Sequence, residues 1–252
     1  MICVEPSSRV VIIGAGMAGA TCARVLTSAG CAVQVVDKGH GAAFRQFLAG
    51  AGQADLVLPW GPTLAAGSRP LDDAGPLYLP SPDMPSLCRC LLRDIPTTSS
   101  FAVDRLLRGP RGWQVAATGS TLPGHFDAVV LALPPAQAAT LLALHRSDWA
   151  QRASLALMQP CWTLIGVARR PAKDLHWDVG RPEQGPLAWV MRNVARAGRE
   201  PSADEAHGVV HARAGWSRQH LEQRAGCPAL RVGASAASSP RPISPTPRRS
   251  SA

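Results

Sequence analysis

Lysine is almost absent from this chain. Of its 26 basic residues only Lys38 and Lys173 are lysine; the rest are arginine. With so much alanine, glycine and proline, that imbalance reads as GC-rich coding bias, not as a designed phosphate-binding face. Residues 226–252 hold four Arg and no acidic residue, so the tail supplies +4 of the formal +9, and the remaining charge is spread without a basic run. A nucleic-acid interface needs cations clustered on one face, and nucleic acid is not expected as a partner. Cys3, Cys22, Cys31, Cys88, Cys90, Cys161 and Cys227 form no CxxC pair and show no zinc spacing, so no metal centre is expected. No apolar run spans a bilayer, because Phe126–Leu144 is broken by Pro134-Pro135. A basic-then-apolar leader is missing too: the first strand begins within nine residues. An odd number of thiols without a leader fits a reducing cytoplasm. No internal repeat is visible.

What is present begins at Arg9-Val-Val-Ile-Ile-Gly-Ala-Gly-Met-Ala-Gly-Ala20. A buried-strand pattern runs straight into Gly14-x-Gly16-x-x-Gly19. A helix-like segment, Thr21 to Ala29, follows, and then Cys31-Ala-Val-Gln-Val-Val-Asp37. The spacing predicts a complete βαβ unit with a carboxylate closing its second strand, the dinucleotide-binding fingerprint. Gly14 permits the tight turn, Gly16 lets the backbone approach a pyrophosphate, and Gly19 lets helix and strand pack closely. The helix N-terminus offers free N–H groups and a positive dipole end to phosphate oxygens. Asp37 would accept hydrogen bonds from an adenosine ribose. Two plainer readings stand beside this one: a glycine-rich turn that binds nothing, and a half-site without the parts that hold a cofactor.

An apolar content of 46% is ample for a core. After Asp37, Lys38-Gly-His-Gly-Ala-Ala-Phe44 leads into a short helix at Arg45-Gln-Phe-Leu48. A short strand is expected at Leu77–Leu79, then a helix from Ser81–Ser86 to about Arg93 capped by Ser81 or Asp83. Phe101–Leu107 and Trp113–Ala117 alternate like a hairpin with its turn at 108–112. Phe126–Leu133 is a continuous apolar run, the pattern of a strand buried on both faces. Pro134-Pro135 ends it, and Ala136–Leu144 reads as a helix with proline at its start. Cys161–Ala168, Leu187–Met191 and Gly208–Ala212 read as strands of a second sheet, and Trp216–Gln223 as a helix begun by Ser217 or Gly215. From 225 to 252 the chain holds six Ser, five Pro and no periodicity, the composition of a disordered tail. The expected organisation is a nucleotide-binding domain from 9–60 and 77–145 with a loop at 61–76, and a substrate-domain segment at 146–224.

The order of these blocks resembles the renalase family of FAD-dependent oxidoreductases, relatives of the flavin amine oxidases. The matching pieces are Val10–Gly19 with Asp37-Lys38, Tyr78-x-Pro80 through Leu87, and Gly112-Trp113 with Phe126–Pro134. Pro160–Leu164, Gly185–Trp189 and Val209–Ala212 with Trp216-Ser217 also match. The resemblance implies an α/β Rossmann-like FAD/NAD(P)-binding domain joined to a mostly antiparallel substrate sheet. It implies FAD, a hydride acceptor that passes electrons to oxygen, and a small-molecule substrate such as a dihydronicotinamide dinucleotide or an amine. By the same resemblance Gly14, Ala15, Gly16, Met17, Ala18 and Gly19 would face the pyrophosphate and Asp37 the adenosine ribose, with Lys38 counted among the cofactor-binding residues. Val103 would meet adenine, and Ala132, Leu133 and Pro134 would line the cofactor edge.

Two departures set this chain apart. Family members place a Gly-Gly-Arg-Met segment just after the acidic residue, and here Asp37-Lys38-Gly39 runs on to Phe44-Arg-Gln-Phe47 instead. The C-terminal Gly-Asp segment that closes the family's cofactor site is replaced by the Ser/Pro/Arg tail, which reads like an out-of-frame translation. The alternative expectation is therefore a truncated, non-catalytic relative that at most holds an adenine dinucleotide weakly. Catalytic residues stay unassigned. His211 and Trp189 sit in predicted strands where packing is the commoner role for such side chains. Adjacent residues of His176-Trp177-Asp178 would point to opposite faces of a strand. Arg169-Arg170 and Arg248-Arg249 read as solvated charges.

Overall fold

A computed structural model describes residues 5–39, 57–71, 77–80, 84–169, 176–192 and 205–222. The short helix expected at 45–48, the cap at Ser81 or Asp83 and the tail from 225 lie outside the described residues. The chain forms two compact units, Met1–Val57 with Pro80–Met158, and Leu58–Leu79 with Gln159–Ala252.

The first unit is built on the predicted βαβ. Strand β1 (Arg9–Ile13), helix α1 (Met17–Ser28) and strand β2 (Ala32–Val36) follow in order. β1 pairs in parallel with β2, from Arg9 opposite Ala32 to Ile13 opposite Val36. Two further parallel strands, β5 (Thr97–Thr98) and β9 (Ala128–Leu131), complete a sheet of order β5-β2-β1-β9. β1 is apolar at successive positions because both its faces are covered. Val10 and Ile12 join Ala20 and Ala23 of α1, Val33 and Val35 of β2, and Leu92 and Ile95 after helix α2 (Met84–Leu91). Val11 and Ile13 join Val36, Phe126, Leu106, Val115, Leu122 and Leu141 on the opposite face. That second layer is an antiparallel sheet of β6 (Val103–Gly109), β7 (Gly112–Ala117) and β8 (Ser120–Thr121), with helix α3 (Pro135–Leu142) beside it. Cys31 is buried and Cys22 partly buried in the first cluster, the packing role their apolar neighbours suggested. Arg24 of α1 ties the layer together, donating from Nε to the Leu91 carbonyl at 2.8 Å and from Nη2 to that of Arg93 at 2.5 Å. These acceptors are carbonyls left over at the end of α2.

Two local expectations are corrected here, and one helix is added. The strand predicted over Phe126–Leu133 is only Ala128–Leu131, and all four residues are half-buried. Among the described residues β9 is an outer strand of its sheet, so it is β1 that is covered on both faces. The hairpin turn is tighter than expected, with Gly109 opposite Gly112 and Pro110-Arg111 between them. Helix α4 (Ser147–Ser154) was not expected at all. It buries none of its residues, and a helix without an apolar stripe leaves no periodic signal. The guanidinium of Arg146 holds its start, donating to both oxygens of Asp148 at 3.0 and 2.8 Å.

The second unit contains the antiparallel sheet predicted from the three apolar runs. β10 (Thr163–Arg169), β13 (Glu205–Ala212), β12 (Leu187–Arg192) and the short β11 (Val179–Gly180) lie side by side in that order. The strands β3 (Val57–Trp60) and β4 (Leu77–Pro80) pair separately. Helix α5 spans Ala214–Gln219, starting earlier than Trp216 and ending before Gln223. Ser217 is therefore not a cap. It is buried inside the helix, and its hydroxyl accepts from the Trp162 N–H at 2.9 Å. Among the described residues no helix is long and apolar enough to cross a membrane.

The fold places its tightest demand on Gly19. A Cβ there would stand 1.8 Å from the Gly14 carbonyl oxygen and 3.2 Å from the Ala132 Cβ. Gly19→Ala should therefore lower stability by at least the upper end of the roughly 1–3 kcal/mol typical of overpacking, measured as a drop in the urea midpoint. Phe126, 2% exposed beneath the parallel sheet, should cost about 3–5 kcal/mol as Phe126→Ala in the same titration.

Candidate functional site

The glycine turn leaves β1 at Gly14, whose φ of +109° is a left-handed conformation that favours glycine. Its N–H donates to the Val36 carbonyl at 2.8 Å, and the Ala132 N–H donates to the Ile13 carbonyl at 2.9 Å. A Cβ on Gly14 would meet the Ala132 carbonyl oxygen at 2.4 Å. Gly14, Gly19 and Ala132 thus form one close-packed knot of β1, α1 and the end of β9. Gly16 differs from both. It is exposed, it caps α1 with φ −68° and ψ −179°, and a Cβ there would meet nothing within 4 Å. Helix α1 has no side-chain cap hydrogen bond and no acidic residue in its first turn. Its leading N–H groups and its positive dipole end are left for a partner from outside the helix.

Asp37 follows β2 and is half-buried. One carboxylate oxygen accepts from the Ala15 N–H at 2.8 Å and the other from the Gly39 N–H at 2.7 Å. The acid expected at a ribose therefore also fastens the glycine turn to the exit of β2. Each carboxylate oxygen keeps a further lone pair, so these bonds leave acceptor capacity free. The backbone around it is equally tied, with Asp37 N–H donating to Thr98 at 2.9 Å and Phe101 N–H to the Asp37 carbonyl at 3.0 Å.

A cavity of about 370 Å³ opens beside this turn. It gathers Gly14, Asp37, Lys38, Val103 and Leu133 of the predicted residues. Ala15, Gly16, Met17, Ala18, Gly19, Ala132 and Pro134 are not in its wall. Ala15 and Gly19 are buried in the turn, Ala132 packs under it, and Pro134 caps α3. Sequence reasoning missed Phe101, Asp104, Gln137, Thr140 and Leu141, which also line the cavity. Gln137, Thr140 and Leu141 stand at i, i+3 and i+4 of α3, one helix face. That spacing was readable, but which face turned inward was not. Asp104 is exposed at the wall, and the hydroxyl of Thr118, donating at 2.7 Å, holds its carboxyl below the usual range, with help from Arg105.

In the second unit Trp189 and His211 are directly opposed on β12 and β13, and both are half-buried. Asp178 accepts from the Thr63 N–H at 2.9 Å, and the Trp177 carbonyl accepts from Arg192 at 2.9 Å, which are fold contacts. Among the described residues no three His, Cys, Asp or Glu converge as a metal site.

The sequence matches the NAD(P)-binding Rossmann-like domain family over residues 12–77. An oxidoreductase from Methanosarcina mazei is similar in structure, with a TM-score of 0.55 over 85% of this chain and 81% of its own, at 12% identity. A protein described as a candidate protoporphyrinogen oxidase from Exiguobacterium sp. 255-15 gives a TM-score of 0.63 over 88% of this chain and 80% of its own, at 8% identity. A Diels-Alderase of pyrroindomycin biosynthesis matches 82% of this chain at 14% identity and a TM-score of 0.47, and this chain spans 47% of its length. At such identities the first two likenesses speak for the fold. The chain carries an α/β Rossmann-like domain of the NAD(P)-binding type and a second, mostly antiparallel sheet, a distant, fold-level resemblance to oxidoreductases of known structure.

Proposed function

We propose that this chain binds the adenosine diphosphate half of FAD at the start of α1 and in the adjoining cavity, as a renalase-like oxidoreductase would. The observation that carries this reading is the difference among the three glycines. Packing accounts for Gly14 and Gly19, while nothing in the fold requires a missing side chain at Gly16. An exposed glycine at a helix start without a side-chain cap lets a pyrophosphate reach the N–H groups of Met17 and Ala18. Asp37 accepts from ribose hydroxyls through its remaining lone pairs, and Lys38 at the cavity wall offers a cation to phosphate. Val103 lies against adenine, and Ala132, Leu133 and Pro134 follow the cofactor edge. The cavity falls at the small end of the roughly 300–1,000 Å³ typical of ligand sites, which suits one half of a dinucleotide. The carboxylates of Asp37 and Asp104 in its wall disfavour an added phosphate on the ribose.

FAD, when bound, supplies a ring that accepts hydride and passes electrons to oxygen. The chain's own residues bind and orient it against a dihydronicotinamide-type or amine substrate in the cytoplasm. A second reading is a non-catalytic relative that keeps the adenosine site alone. It is favoured by the run Lys38-Gly-His-Gly-Ala-Ala-Phe44, which stands where family members carry the Gly-Gly-Arg-Met segment.

The test is an absorption spectrum of the full chain after incubation with FAD and gel filtration. Retained flavin, with turnover of a dihydronicotinamide, supports the oxidoreductase; retained flavin without turnover, or flavin lost on the column with only weak dinucleotide binding in calorimetry, supports the second reading. A chain that holds neither FAD nor NAD(P)H in calorimetry sinks both. Gly16→Val should weaken dinucleotide binding at least about tenfold, some 1.4 kcal/mol. Its stability, read from thermal melts, should stay within the spread of an ordinary surface change, about ±0.5 kcal/mol. Asp37→Ala should lower both affinity and stability, the latter by up to roughly 1.5–3 kcal/mol for each of the two hydrogen bonds to a charged group that are lost. Paired titration and thermal melts separate the two outcomes.

A further inference from the structure

The second unit's sheet carries an apolar row on each face, and burial along these rows fades strand by strand. One row runs from Val179 through Met191 and Val209 to Ile165, one residue from each of β11, β12, β13 and β10. Val179 is fully buried, while Ile165 at the far end is 77% exposed. On the other face Val190 and Val210 are each 8% exposed, and their neighbour Leu164 is 44% exposed. Val167 adds a third aliphatic on β10, 55% exposed. Among the described residues β10 is an outer strand, and no backbone hydrogen bond leaves its far edge.

Outer strands are ordinarily guarded by lysine, proline, bulges or inward charge. Over Thr163–Ala168 this one has no charge and no proline. Its sequence, Thr163-Leu-Ile-Gly-Val-Ala-Arg169, is close to symmetric in character about Gly166. An antiparallel copy centred there sets Ile165 opposite Val167, Leu164 opposite Ala168, and Thr163 opposite Arg169. Ile165 and Val167 thus meet on both sides of the two-fold axis, the self-complementarity that an isologous contact needs. At the axis the glycines are unobstructed, for a Cβ on Gly166 would meet nothing within 4 Å. The chain's own C-terminal stretch is a poor ladder partner, since its five prolines lack the N–H groups a ladder uses.

We infer that β10 is a homodimerisation edge: two copies of this chain pair antiparallel about Gly166 and join their four-stranded sheets into one of eight strands. Pairing satisfies the free edge and covers Ile165 and Val167 of both copies. The contact does not depend on FAD or on the proposed activity.

Light scattering coupled to gel filtration of the full chain tests this. A dimer is expected, and Ile165→Lys with Val167→Lys should convert it to monomer. Both positions are exposed, so melting followed by circular dichroism should change little, which separates lost pairing from lost folding. In a second variant, Gly166→Cys in a Cys161→Ser background, mild oxidation should link the two copies, and peptide mapping should place the bond between the two residues at position 166. Facing residues of an antiparallel pair lie about 4.5–5.5 Å apart at Cα, within disulfide reach. A monomeric wild type, an assembly of more than two copies, a dimer that survives the lysines, or cross-links that avoid position 166 would each overturn the proposal.

Discussion

The approach of Gly19 to Gly14 is the contact on which the nucleotide-binding half depends. With the carbonyl of Gly14 1.8 Å from where a Cβ of Gly19 would lie, helix α1 can start directly above the end of β1. That proximity aims the first turn of the helix outward and leaves Gly16 on the exposed side. The same knot includes Ala132, so the strand β9 and the helix α3 after it are located by the turn. The pairing of β1 with β9, Val10 opposite Ala128 through Ile13 opposite Leu131, holds the knot from below.

Asp37 extends this constraint to the neighbouring strand. Its carboxylate joins the N–H groups of Ala15 and Gly39, so the glycine turn and the exit of β2 share one acceptor. A residue that serves the loop's shape and stands in a cavity wall joins stability to binding. In such an arrangement a ligand meets a preformed surface, and less ordering opposes association.

The second sheet shows the opposite economy. Its interior rows are apolar, with Val179, Val190 and Val210 buried and Met191 half-buried, while the same rows continue uncovered onto β10. Hydrophobic area in contact with water at about 25 cal/mol per Å² is a standing drive for something to lie against that strand. A contiguous exposed apolar edge is more informative than scattered surface leucines, and this one coincides with a strand edge that has no ladder partner among the described residues.

The local periodicities of the chain carried a good part of this picture. The two-residue and continuous apolar patterns placed β1, β2, β10, β12 and β13, and Gly14-x-Gly16-x-x-Gly19 located the strand–turn–helix junction, because backbone conformation at such turns is restricted by sterics that act within a few residues. Long-range coverage was not written in those patterns. The run Phe126–Leu133 looked covered on both faces, yet β9 is half-buried at the side of its sheet, since burial depends on which strands lie alongside. α4 escaped notice because it buries nothing, and α3 was legible as a helix but not as the wall that brings Gln137, Thr140 and Leu141 to the cavity. Asp37 marks the division most clearly. Sequence spacing put a carboxylate at the end of β2, but its two bonds to Ala15 and Gly39 arise only when β1 and β2 lie in parallel register and the turn folds back over them, a geometry set by packing between segments and not by any one of them.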